Sequence, residues 1–113
     1  MEMKMNYVKG VGVLYIGGEL DAQSSPELTR FFKDQLEDSC LNLVADLQAL
    51  EYSSSAGIRV FLGLSREMRH RGGDFRISGV QPQVEKIFKL SKFDKIVKIY
   101  PDVEKALASF EES

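Results

Sequence analysis

The sequence predicts an α/β domain built on a mixed, mostly parallel sheet of four to five strands, with an antiparallel hairpin at its start and about four helices. Three observations lead there. Short apolar runs alternate with amphipathic stretches of helical period from residue 24 onward. The run Leu41 to Leu47 is apolar on both faces, as a strand buried on two sides requires. The N-terminal segment alternates in a way that suits a half-exposed hairpin instead. The resulting order is ββαβαβαβα.

The hairpin comes from Met3, Met5 and Tyr7 alternating with Lys4 and Asn6, a Lys9-Gly10 turn, and then Val13, Leu14, Tyr15 and Ile16. Past Gly17-Gly18-Glu19-Leu20-Asp21, either Ser24 or Ser25 can cap a helix whose first turn suits Pro26. Its stripe is Leu28, Phe31, Phe32 and Leu36, about three turns long. The two-faced strand follows. A second helix runs from Ile58 to Arg71 on the stripe Ile58, Phe61, Leu62, Leu64 and Met68, stopped by Gly72-Gly73. Phe75 and Ile77 mark a further strand, and Gln81-Pro82 opens a helix carrying Val84, Ile87 and Phe88. The segment Ile96 to Tyr100 is expected as the last strand. Asp102 then caps a helix with Val103, Ala106, Leu107 and Phe110 at one face, and the tail Glu111-Glu112-Ser113 is expected to fray.

With 113 residues, 43% apolar and 28% charged, the chain supports one domain over 1–113, its core spanning about 3–110. A net charge of −2 offers no global field for nucleic acid or an anionic membrane. The local cluster Arg66, Arg69, His70 and Arg71 reads as a solvated helix end, favoured there by the helix dipole. No apolar run approaches membrane-span length and no signal-peptide block opens the chain, so a cytoplasmic location is expected. The lone Cys40 fits a reducing compartment and reads as core or strand-edge packing.

Catalytic chemistry is hard to assemble from one histidine and one cysteine, and the chain is expected not to be an enzyme. His70 stands among arginines, where a serine-histidine-acid triad would need it to turn inward. No cysteine or histidine pair has metal-ligand spacing, and Asp34, Glu37 and Asp38 are expected to form the polar face of a helix. Gly10, Gly12, Gly17 and Gly18 match neither nucleotide-binding fingerprint. No cofactor or metal is expected.

The turn Glu51 to Gly57 remains, with three consecutive serines where a strand hands over to a helix. Ser53 or Ser54 can serve as a helix cap, which needs only one hydroxyl. A helix N-terminus at the carboxyl end of a parallel sheet is also exposed and favours an anion, so a phosphate on one of these serines would be tolerated and could repel a partner.

Several blocks resemble the signatures of STAS domains across nearly the whole chain: Gly18-Glu19-Leu20-Asp21, Leu43-Val44-Ala45-Asp46-Leu47, Tyr52 to Val60, Arg76 to Pro82 with Ile87 to Leu90, and Ile99 to Asp102 with Ala106-Leu107. The resemblance implies an anti-sigma-factor antagonist in a partner-switching cycle. The unphosphorylated form would bind an anti-sigma factor that is a GHKL-type serine kinase, and a PP2C-type phosphatase would reset the mark. Aligning the family's Asp-Ser-Ser/Thr-Gly motif on Gly57 places the phosphosite on Ser55, with Ser54, which replaces the motif's aspartate, as second choice. The same resemblance assigns partner contact to Glu19, Asp21, Tyr52, Ser54, Ala56, Gly57, Ile58 and Arg59, the last two as an exposed first helical turn. It leaves the oligomeric state as monomer or weak dimer. It also allows a different use, as the regulatory subunit of a membrane transporter such as a lipid-trafficking ABC system, docked on the ATPase.

Overall fold

The computed structural model describes residues 1–111. The strands are β1 (Glu2–Val8), β2 (Val11–Leu20), β3 (Asn42–Asp46), β4 (Leu50–Ser53), β5 (Asp74–Ser78) and β6 (Ile99–Tyr100). The helices are α1 (Ser25–Gln35), α2 (Ser55–His70), α3 (Pro82–Leu90) and α4 (Val103–Glu111). The sheet order is β1-β2-β3-β5-β6; β1 is antiparallel to β2 and the other pairs are parallel. Lys9 and Gly10, both at positive φ, form the hairpin turn, whose backbone twist matches that of the flanking strands.

The alternation of β2, β3 and β5 sends Leu14, Ile16, Leu43, Ala45, Phe75 and Ile77 into one core with Leu28 and Phe32 of α1 and Phe61, Leu64 and Met68 of α2. Phe61 is its centre, its ring 6.1–6.2 Å from those of Phe75, Phe88 and Phe93. Val44 points the other way, beneath α4, so β3 is buried on both faces as its sequence implies.

The α/β class, the opening hairpin and the four helices agree with the sequence reading, but the sheet carries one strand more. Leu50–Ser53, read as part of a turn, pairs in parallel with the far end of β2 (Gly18↔Leu50, Glu19↔Tyr52, Leu20↔Ser53). Four residues with only their ends buried give no periodicity to detect. The last strand is shorter than expected. Lys92 adopts a left-handed conformation (φ 62) after α3, Phe93–Lys95 coil into a 3₁₀ turn, and Val97 N–H bonds back to Phe93 O, leaving only Ile99–Tyr100 in the sheet. Of the tail expected to fray, Glu111 is helical, and Glu112 and Ser113 lie outside the described residues.

Arg76 is a burial that the sequence pattern conceals. It sits in β5 at 6% exposure, its Nε 3.0 Å from Asp74 Oδ2, its Nη1 2.6 Å from Ser109 Oγ and its guanidinium 4.1 Å above the Phe110 ring. The charge is thus paired, hydrogen-bonded and capped by an aromatic face, which is what allows it to be buried at all. Among the described residues, no helix is long and apolar enough to cross a membrane.

Candidate functional site

The site gathers where β2 ends, β4 ends and α2 begins. The crossover through α1 and β3 brings Glu19 opposite Tyr52 and Leu20 opposite Ser53, although more than thirty residues separate them in sequence. Ser54 N–H then bonds to Leu20 O at 2.8 Å, which fixes the first turn of α2 against the end of β2.

The three serines part company here. Ser53 is buried (1% exposed), its hydroxyl donating to Ser54 O at 3.2 Å. Ser54 is the N-cap: its backbone is extended (φ −82, ψ 173) and its Oγ accepts from Gly57 N–H at 3.3 Å. That satisfies one of the free amides of the helix end. Ser55, the first helical residue, is exposed, and its hydroxyl makes no hydrogen bond to any described residue. The capping role offered by the sequence to Ser53 or Ser54 thus falls to Ser54 alone.

The neighbours divide by exposure. Glu19, Tyr52 (44% exposed) and Arg59 face solvent, and Ser54, Ala56 and Asp21 are half-buried. Gly57 is buried. A Cβ there would lie 2.7 Å from both Leu20 Cγ and Ser53 Oγ, so glycine is what lets α2 sit on β2. Ile58 is corrected outright. It is 8% exposed and belongs to the core, because the same 3.6-residue period that aims Arg59 outward turns Ile58 onto Phe61's side of the helix.

Asp21 is committed locally. Its Oδ1 accepts from the N–H groups of Gln23 and Ser24, each at 3.0 Å, while its own N–H donates to Ser24 Oγ at 2.9 Å. Hydrogen bonding from Ser24, first through its backbone and then through its hydroxyl, holds the carboxyl below its ordinary pKa. Ser24 was read from sequence only as a helix cap; here it builds the loop beside the serine turn and makes no cap bond. The spacing Asp-x-x-Ser, typical of side chains that mimic a backbone turn, is the signal that could have found it. Glu51, next to Tyr52 on β4, is exposed, and the β2–β4 register steps over it.

Chemically the surface offers a free hydroxyl, carboxylates at Glu19 and Asp21, and one guanidinium. His70 is exposed at the far end of α2, and Cys40 is buried with Sγ 3.2 Å from Asn42 O. Among the described residues no cluster of histidine, cysteine and carboxylate side chains could hold a metal ion.

The STAS domain family matches residues 2–106. This chain belongs to that family. The STAS domain described here is 28% identical over 113 residues to the anti-sigma F factor antagonist of Paenibacillus polymyxa, covering 98% of this chain and 96% of the relative. A crystal structure of an anti-sigma factor antagonist from Mycobacterium paratuberculosis superimposes with a TM-score of 0.87 at 25% identity, covering 97% of this chain and 93% of that one. The Bacillus cell fate determinant SpoIIAA in its phosphorylated form shares the fold, with a TM-score of 0.71 at 17% identity, over 96% of this chain and 98% of that one.

Proposed function

We propose that this STAS domain is an anti-sigma-factor antagonist whose grip on its partner is switched by phosphorylation of Ser55. The observation that carries the reading is the division of labour in the serine turn: Ser54 caps α2, and the Ser55 hydroxyl stands exposed without a structural bond. The nearly full-length kinship with a protein named an anti-sigma F factor antagonist supports the partner, and a phosphorylated form of the like-folded SpoIIAA supports the modification.

In this reading the partner is an anti-sigma factor that is also a GHKL-type serine kinase. With Ser55 unmodified, the exposed Glu19, Tyr52 and Arg59, with Asp21, Ser54 and Ala56 at the rim, form the docking face. Gly57 and Ile58 contribute from beneath by setting the pose of α2. The kinase transfers a phosphoryl group from ATP to Ser55 Oγ and ADP leaves. The added charge, nearly two negative units, joins the carboxylates of Glu19 and Asp21 on this face and drives the partner off. A PP2C-type phosphatase hydrolyses the ester and resets the domain. The chain supplies a substrate hydroxyl and a binding face and catalyses no step itself.

Intact-mass measurement after incubation with ATP and lysate of the source organism tests this, repeated on Ser54→Ala and Ser55→Ala. The expected result is a gain of one phosphoryl group, lost only in Ser55→Ala. A gain that survives in Ser55→Ala and disappears in Ser54→Ala would move the acceptor by one residue, and no gain in any protein would overturn the switch.

A further inference from the structure

Arg59 is the one exposed cation of the docking face, and its guanidinium makes no ion pair or hydrogen bond to any described residue. Along α2 its neighbours at three and four positions are Ala56, Leu62, Ser55 and Gly63, none of them charged. Only one of these four can acquire a negative charge, and it is Ser55. On a helix, residues four apart lie on one face within side-chain reach, and an acid placed N-terminal to a base is the favoured order. The protein already uses that arrangement twice. Glu67 pairs with Arg71 further along α2 at 2.9 Å, and Glu85 in the first turn of α3 pairs with Lys89 at 3.0 Å. α1, α3 and α4 carry an acid in the first turn (Glu27, Glu85 and Glu104), and α2 carries none.

We propose that Arg59 is the built-in counter-ion of the phosphate on Ser55, closing an i,i+4 pair when the switch is thrown. The proposal rests on Ser55 as the modified residue and adds how the modification acts. The guanidinium that faces a partner in the unmodified domain is drawn back onto α2, so release follows from loss of this cation as well as from repulsion. Arg59 is thus a positioning residue for the phosphorylated state.

The test uses full-length protein with phosphoserine installed at position 55 during translation, so it needs no kinase. The second ionisation of the phosphate is followed by ³¹P NMR across pH at low salt. Lys33 of α1 shares a groove with Arg59, and Glu19, Asp21, Glu51 and Tyr52 border the serine turn. These groups are the same in every variant, so differences isolate Arg59. In Arg59→Ala the midpoint should rise by roughly 0.3 unit, the equivalent of one such helical pair, while Arg59→Lys stays near wild type. Arg66→Ala, which removes an exposed cation two turns further on, should leave it unchanged. An unmoved midpoint in Arg59→Ala, or an equal rise in Arg66→Ala, would overturn the pairing. Whether a kinase chooses Ser55 is decided separately by the mass measurement.

Discussion

Ser53, Ser54 and Ser55 are chemically identical, and the fold separates them by backbone state: Ser53 ends a strand, Ser54 is the extended cap and Ser55 is the first helical residue, so the three side chains leave the chain in different directions. That separation predicts different costs. Removing the capping oxygen in Ser54→Ala should lower unfolding free energy by about 1 kcal/mol, whereas Ser55→Ala, which deletes an exposed hydroxyl without a hydrogen bond, should stay within about 0.5 kcal/mol of wild type. Urea unfolding of the two variants checks this, and a reversed order would show that the cap lies elsewhere. Gly57→Ala forces a methyl to 2.7 Å from Leu20 and Ser53 and should cost about 1–3 kcal/mol through overpacking. From sequence, the serine run and the exposed Arg59 were legible. So was the place of Ile58 on the apolar stripe of α2; its exposed role, implied by the resemblance alone, is what the structure overturns, because one residue of helical phase separates core from surface.

At the scale of elements, the loop after β2 depends on a carboxylate. Asp21 has a lowered pKa in the folded chain, so its ionised form is favoured by folding. Its contribution is therefore complete above the ordinary aspartate pKa and is lost as pH falls through the depressed folded value. Amide exchange at Gln23 and Ser24, the two donors to Asp21 Oδ1, should be flat at neutral pH and should quicken, relative to intrinsic rates, only in the acid range. Asp21→Asn should remove that acid step. The helices were legible because each carries a long apolar stripe of 3.6-residue period. β4 was not, because four residues are too few to show a period and their partner strand lies across an intervening helix and strand.

For the whole molecule, α4 closes the second face of the sheet and is tied to it through Arg76. Burial works against the ionised form of Asp74, yet hydrogen bonds from Arg76 and Arg69 outweigh it and hold the carboxyl below its ordinary range. Arg76→Ala would leave Arg69 as the one cation hydrogen-bonded to Asp74 among the described residues, and would remove the guanidinium that meets Ser109 Oγ and the Phe110 ring of α4. A loss of about 2–3 kcal/mol is expected, with hydrogen exchange in α4 rising ahead of that in α2. If exchange rises evenly through the molecule, Arg76 acts on the core at large and not on the seat of α4. By itself the sequence determined the α/β class, the hairpin, the four helices and the serine turn, since each rests on local periodicity, capping or turn chemistry read within a dozen residues. Only the tertiary structure decided that β4 exists, that Glu19 meets Tyr52, that Asp21 is bound into its own loop and that Arg76 is buried. Those outcomes are set by pairing and packing between segments distant in the chain, and no local pattern encodes the free energy of such contacts.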